Sequence, residues 1–392
     1  MNRRFFAATD DEIKKGKTTD VYFERTAEIL NEKGISRKVV AEVTCGSIPN
    51  EWPWGIFVGT EDVAELFEGL PVDVYSLREG TVFRAKDERG VRTPVMVIEG
   101  DYKRFCIFET PLLGFVCQAS GIATAAARVK KVAGDRTVLS FGARRMHPAI
   151  TPMISRACYI GGFDGVSAVI SAEMLHIPAT GTMPHALIIV MEDHEKAWQA
   201  FDEVVDKEVK RVALCDTYLD EKTETLMASE MVENLYGVRL DTPGSRRGNF
   251  KEIIQEVRWE LDLRGHENVK IFVSGGLNEE SVQELNPFVD GFGVGTYVSN
   301  GRTIDFSLDI VEMEGNPVAK RGKFSQKKQI YRCTECMKDV IVPWNAEPPE
   351  CHGKMKPLLH LLVENGKIVQ KIPEAAEIRK YVLEQVKKRD LW

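Results

Sequence analysis

Residues 269–298 read "VKIFVSGGLNEESVQELNPFVDGFGVGTYV". Two short apolar runs, each closed by glycines, flank a stretch whose apolar residues recur at helical spacing. Strands apolar on both faces belong in a parallel sheet covered by helices, where neither face meets water. The same unit recurs upstream as "TVLSFGARR", "YIGGFDG", "IPATGTMPH", "VALCDTYLD" and "YGVRLDTPG". Helical patterns "EDHEKAWQAFDEVVDKEVKR" and "GNFKEIIQEVRWELDLRG" lie between several of them. Alternating strands and helices predict an α/β fold. Seven such strands in roughly 160 residues favour a closed or nearly closed α/β barrel, with an open doubly wound sheet as the alternative.

The rest of the chain falls on either side of that block, which spans 113–300. Residues 1–112 alternate β-rich runs with turns: "KVVAEVTC", "WGIFVGT", "VDVYSL", "GTVFRA", "TPVMVIEG" and "FCIFETPLLG". With the helical stretch "TEDVAELFEGL" they read as an α+β domain. "ETPLLGFVCQASGIATAAARVKKVAG" has the small-residue composition of a tightly packed helix. Residues 301–327 look like strands returning to the first domain. Residues 328–392 form a small terminal segment that ends in an amphipathic helix over 373–390. A chain of 392 residues is too long for one ordinary core, in keeping with two or three domains.

Composition narrows the function. The chain is 43% hydrophobic and 28% charged with a net charge of −7, which argues against nucleic-acid binding over the whole surface. No apolar run approaches the ~20 residues of a membrane span, so no membrane partner is expected. The start, "MNRRFFAATDDEIKKGK", turns charged before a signal-peptide core develops. A cytoplasmic protein is expected. Cys45, Cys106, Cys117, Cys158 and Cys215 stand singly among apolar residues, as reduced core thiols do.

In α/β barrels the chemistry sits on loops at the carboxyl ends of the strands, and a phosphate site commonly follows the last two. Here those tips are "SGG" (Ser274, Gly275, Gly276) and "GVGT" (Gly293, Gly295, Thr296). Glycine lets backbone N–H groups approach an anion, and the helix begun by "NEESV" adds a favourable dipole. A single glycine tip is usually only a turn; two on consecutive terminal strands favour phosphate. Other tips carry Phe141, Arg144, Arg145 and His147; Asp164; Asp216 and Thr217; and Arg239, Asp241 and Ser245. One aspartate after a strand is most often a cap or turn residue. The whole set describes a cleft with a planar aromatic, guanidinium groups for carboxylate or phosphate, and carboxylates for sugar hydroxyls or Mg²⁺. His185, at the "GTMPH" boundary, is by default a core histidine, and its neighbours must decide its role.

"KTTDVYFERT", "ETPLLGFVCQASGIATAAAR", "SFGARRMHP", "GTMPHAL", "VRLDTPGSRRG", "VSGGL" and "FGVGT" together resemble the nicotinate phosphoribosyltransferases, members of the type II phosphoribosyltransferases, over roughly residues 15–325. The resemblance implies an N-terminal α/β domain with an incomplete, seven-stranded α/β barrel. It implies an enzyme joining nicotinate to phosphoribosyl pyrophosphate, with nicotinate mononucleotide and pyrophosphate as products. Phe141 would then stack on the pyridine ring, with Tyr22 of a neighbouring subunit on its other face, in a homo-oligomer whose active sites lie at subunit interfaces. Arg239 would lie near the base and Arg144 between base and phosphates. Asp164 matches a position near the base in nicotinamide-using relatives. Asp241 would orient the ribose hydroxyls or hold Mg²⁺, with Asp216 close by. Ser274, Gly275, Gly276, Gly295 and Thr296 would hold the 5′-phosphate, and Lys320 would reach pyrophosphate across a subunit boundary. His185 would be the histidine that ATP phosphorylates.

The chemistry asks for no acid–base pair. The pyridine nitrogen carries a free lone pair, so the reaction needs positioning, a held leaving group and stabilisation of an oxocarbenium-like transition state. Near alternatives are a nicotinamide or a quinolinate phosphoribosyltransferase. From another class, the tail suggests a zinc-ribbon nucleic-acid-binding or regulatory protein. In "YRCTECMKDVIVPWNAEPPECHGKM", Cys333 and Cys336 form a C-x2-C knuckle, and Cys351 with His352 follows after 14 residues. That spacing suits structural Zn²⁺, with iron as runner-up and His360 as a competing fourth ligand.

Overall fold

The computed structural model describes residues 4–391, so the first three residues of the amino-terminal stretch read above, and Trp392, lie outside the described residues. The chain forms two compact units: one from the residues up to Thr124 together with those from Gly301 onward, the other Ala125–Asn300.

The second unit is built on a curled parallel sheet of six strands. In spatial order these are Gly165–Val166, Thr137–Ser140, Gly291–Val294, Lys270–Ser274, Gly237–Leu240 and Val212–Leu214. The apolar runs are buried as their composition demands: Ile271, Val273, Phe292, Val294, Val238 and Leu240 have no exposed surface. The Phe250–Leu263 helix buries Phe250, Ile254, Val257 and Leu261, the stripe expected of a covering helix. Each such side chain contributes about 1.5–3 kcal/mol by burial.

The α/β class and the incomplete barrel stand, but the strand count falls from seven to six. "IPATGTMPH" is not a strand. Pro178 and Pro184 carry no amide hydrogen, so the segment cannot sustain a ladder. It runs along the edge of the Gly165–Val166 strand with Thr180 N–H donating to Val166 O at 2.9 Å. The apolar run after it is a short helix, His185–Val190, that buries Ile188 and exposes Ile189 and Val190. "YIGGFDG" starts as the end of the Thr151–Ile160 helix, and its strand begins only at Gly165, after Asp164.

The first unit centres on a seven-stranded sheet. The return strand Asp305–Met313 lies antiparallel beside Lys38–Ser47, followed by Pro94–Asp101, Val72–Leu77 and Leu359–Glu364. "FCIFE" is helical rather than extended: Tyr102–Phe105 and Cys106–Phe108 lead into the Glu109–Ala133 helix. The small residues of that helix have specific uses. Ser120 and Thr124 accept the N–H groups of Val58 and Ile56 at 3.0 and 2.8 Å, and a Cβ on Gly121 would stand 2.1 Å from the Arg302 carbonyl oxygen. By length and composition Tyr102–Ala133 could cross a membrane, but 56% of its most apolar window is buried inside the protein, as in a core helix.

The tail belongs to the first unit. Lys328–Cys333 pairs with Asp339–Pro343 and Met355–Pro357 in a three-stranded sheet. The Ala375–Val386 helix locks on through Gln385, which accepts Val82 N–H and donates to Gly80 O, each at 3.0 Å.

Candidate active site

The carboxyl ends of the six strands bring the polar tips of the second unit together. Phe141 follows the Thr137–Ser140 strand, and its N–H donates to Val294 O at 2.9 Å. A Cβ on Gly293 would lie 2.4 Å from the Phe141 ring and 3.1 Å from Ser274 Cβ, so glycine there is what allows ring and neighbouring tip to meet. A Cβ on Gly295 would lie 3.4 Å from the Phe141 carbonyl oxygen, an ordinary contact, and Thr296 opens the short helix behind it. Ser274 Oγ donates to Asp241 Oδ1 at 2.6 Å. Phe141, Asp241 and Gly295, far apart in sequence, line one neighbourhood.

Arg239 bridges its two halves. Its guanidinium lies 6.0 Å from the Phe141 ring centre, donates to Thr182 Oγ1 at 2.6 Å and Met183 O at 3.2 Å, and stands 4.0 Å from Asp241 Oδ2. Its Nε is buried without a hydrogen-bond partner. Burial lowers its pKa against the pull of Asp241 and Asp216, and nearby Arg144 pushes the same way as burial. Arg144 itself is exposed in the Ala143–Arg145 turn.

His185 is not a core histidine. Its Nδ1 lies 3.0 Å from Thr217 Oγ1, while Nε2 faces Asp241 Oδ2 at 3.7 Å and Asp216 Oδ1 at 3.8 Å. Contact with Asp241 raises its pKa, burial opposes, and Asp216 adds to the rise. Burial works against ionisation of Asp241, but His185, Ser274 and Arg239 together hold its carboxyl below the usual range. Asp216 is a positioning residue. Its Oδ2 accepts Asp241 N–H at 2.6 Å and lies 2.9 Å from Thr242 Oγ1, its Oδ1 is buried without a partner, and burial raises its pKa.

Some supporting groups had no signal in the sequence. Fully buried Glu224 accepts N–H groups from Thr217, Tyr218 and Leu219 at 2.9, 2.7 and 2.8 Å and so fixes the tip that carries Thr217. Glu221, Thr242 and Thr182 were likewise unread. Arg247 lies beside the "SGG" tip and donates to Gly275 O.

Asp164 is a correction. It stands at the amino end of its strand, accepting Val138 N–H at 2.9 Å and pairing with Lys130 Nζ at 2.9 Å, away from the tips. The sequence reading puts Asp164 at the end of its strand, whereas the strand begins one residue after it. The "NEESV" helix spends part of its first turn on itself, Asn278 and Ser281 forming a reciprocal cap. Gly275 and Gly276 take φ of +90° and +68°, the left-handed conformation of a tight turn.

The remaining residues lie in the first unit. Tyr22 is exposed on the Val21–Glu32 helix, its hydroxyl donating to Asp20. Lys320 pairs with Asp309 at 2.5 Å. The sulfurs of Cys333, Cys336 and Cys351 lie within 4.8 Å of one another, and Gly353 N–H donates to Cys333 Sγ at 3.3 Å. His352 is a correction in part: its Nδ1 is 3.8 Å from Cys351 Sγ, but it does not join the mutual cluster. His360 stands on the Leu359–Glu364 strand opposite Ser76, in the large sheet.

Comparison with known proteins agrees with this arrangement. Family models of the quinolinate phosphoribosyl transferase N-terminal and C-terminal domains match residues 20–120 and 122–309. A nicotinate phosphoribosyltransferase of Mycobacterium tuberculosis is 32% identical over 271 residues, 66% of this chain and 55% of that protein. The crystal structure of nicotinate-nucleotide pyrophosphorylase from Pyrococcus furiosus is 57% identical, covers 98% of both chains and superposes with a TM-score of 0.95. The chain belongs to the nicotinate phosphoribosyltransferase family. The human nicotinic acid phosphoribosyltransferase, 19% identical over 95% of this chain and 94% of that one, shares the fold with a TM-score of 0.76. The chain spans little more than half the length of the mycobacterial family member and 62% of the Bacillus subtilis one. Phe141, Arg239 and Asp241 stand together within the matched residues.

Proposed function

We propose that the chain joins nicotinate to phosphoribosyl pyrophosphate, giving nicotinate mononucleotide and pyrophosphate, in NAD biosynthesis. The observation that carries this is the meeting of Phe141, Arg239, Asp241 and the Ser274–Gly276 cradle at one end of the sheet. The ring of Phe141 suits a flat heterocycle, and Arg239 beside it suits that heterocycle's carboxylate. With Asp164 spent on Lys130 and Val138, the carboxylate that would have favoured an amide base is gone from the pocket. The pyridine nitrogen attacks the anomeric carbon as the bond to pyrophosphate breaks. The Asp241 carboxylate faces the positive charge that develops on the ribose. Mg²⁺ would come with the phosphoribosyl donor, and Asp241 Oδ2, turned away from Ser274, is the oxygen for it or for the ribose hydroxyls.

Product analysis with phosphoribosyl pyrophosphate and nicotinate, nicotinamide or quinolinate in turn tests the reading. Nicotinate mononucleotide is expected; turnover of quinolinate or nicotinamide alone would replace this reading with the corresponding one. No turnover, with salt-dependent nucleic-acid binding instead, would end it. A methyl at Gly293 must displace the Phe141 ring. Overpacking costs about 1–3 kcal/mol, so Gly293→Ala should raise the KM for nicotinate on the order of tenfold while leaving that for phosphoribosyl pyrophosphate near its original value.

ATP coupling is assigned to His185, whose Nε2 is the nitrogen not engaged by Thr217. His185→Ala should abolish stimulation by ATP and leave basal synthesis; equal loss of both would remove the coupling role. The knuckle is assigned structural zinc, held by Cys333, Cys336 and Cys351, with His352 beside Cys351 as the fourth ligand. The Cys336–Cys351 sulfur distance of 3.5 Å and the N–H directed at Cys333 suit thiolates around one ion. Metal analysis should return one zinc per chain, and a metal-free protein would refute the knuckle. We also assign a homo-oligomer: Val21, Tyr22 and Ile29 expose an apolar face on one helix, as closure of a neighbour's base pocket by Tyr22 requires. Cytoplasmic residence fits eight unpaired cysteines.

A further inference from the structure

We propose that Arg247 is the guanidinium that completes the phosphate cradle and selects the 5′-phosphate end of the donor. The assignment rests on the phosphoribosyl-transfer reading and adds a residue to it. Arg247 stands in the loop after the Gly237–Leu240 strand, where its N–H donates back to Pro243 O at 3.2 Å and closes a turn. Its guanidinium packs on the ring of Phe250, 4.6 Å from the ring centre, and that ring is buried at the start of the Phe250–Leu263 helix. A cation stacked on a fixed aromatic is aimed in advance. It is aimed at the glycine tip: one Nη donates to Gly275 O, and a Cβ on Gly276 would stand 3.9 Å from Nη2.

Two further facts suit Arg247 to an anion. Nε is buried with no hydrogen-bond partner, and a buried unsatisfied donor of a charged group is costly unless something arrives to accept from it. Burial also lowers the Arg247 pKa, with only Asp241 pulling the other way. A phosphate monoester resting on the Ser274–Gly276 turn would meet the backbone on one side and the planar fork of Arg247 on the other. Gly276 keeps that approach open, because a side chain there would enter the space before the fork, whereas one at Gly275 would press on Asp241. Pyrophosphate shares the chemistry, so the test must separate the two ends of the donor.

Binding of ribose 5-phosphate and of inorganic pyrophosphate to the full-length protein, measured by calorimetry, does so for wild type, Arg247→Gln and Arg247→Lys. Arg247→Gln should weaken ribose 5-phosphate at least about tenfold and leave pyrophosphate within twofold, Arg247→Lys falling between, with thermal midpoints unchanged. In turnover, the KM for phosphoribosyl pyrophosphate should rise and that for nicotinate should stay. Equal ribose 5-phosphate affinity in wild type and Arg247→Gln, or loss confined to pyrophosphate, overturns the assignment. Selective loss of ribose 5-phosphate in a protein that turns over no pyridine base would leave the cradle standing and sink the nicotinate reading alone.

Discussion

Replacing Arg128 by alanine should destabilise the protein by about 3–5 kcal/mol, the cost of stranding a buried charge. Arg128 has no exposed surface. Its Nε and Nη2 donate to the two carboxylate oxygens of Glu279, each at 2.8 Å, and Glu279 is itself 2% exposed. The pair joins the Glu109–Ala133 helix to the first residue of the helix that follows the "SGG" tip. Removing the guanidinium leaves a buried carboxylate without its cation, where it must take up a proton or draw in water. Chemical denaturation measures the loss as a lower midpoint. A variant replacing both residues with apolar side chains of similar volume should recover most of it, because the pair's attraction largely offsets its own desolvation. A single substitution costing less than about 1 kcal/mol would mean that water already reaches the site.

Asp241→Asn should lower kcat/KM by about 10²–10³, the scale of removing one preorganised electrostatic partner of the transition state. The amide keeps the shape and can still accept from Ser274, so the fold should survive with an unchanged denaturation midpoint. It withdraws the charge that faces His185 at 3.7 Å and Arg239 at 4.0 Å. The same substitution should lower the His185 pKa, since contact with Asp241 is the main cause of its rise. Histidine proton resonances followed against pH would register that shift whatever the activity. A full-strength Asp241→Asn enzyme would take the carboxylate out of the chemistry.

Much of the site was legible because it rests on short-range rules. Phe141, Asp241, Ser274 and Gly295 each end or follow an apolar strand, and parallel topology alone sends such residues to one end. Asp164 misled because "YIGGFDG" mixes a helix end, a glycine turn and a two-residue strand, and only the true start of the strand tells tip from base. Glu224 and Arg247 were unreadable for another reason. Glu224 lies on a helix and Arg247 in a loop, and what they hold is decided by packing across the sheet rather than by spacing along the chain. His352 follows a third pattern: adjacency to Cys351 in sequence does not turn a side chain toward the same point.

The prolines that interrupt "IPATGTMPH" leave the sheet with a seam. Between Pro178 and Pro184, Thr180 alone among the described residues donates its amide to a strand, and Arg239 grips Thr182 and Met183 from the side. Amide exchange should therefore be fast along this seam and slow in the flanking strands. The His185 imidazole at its end is held by Thr217, while Arg239 pins the backbone two residues before it at Met183.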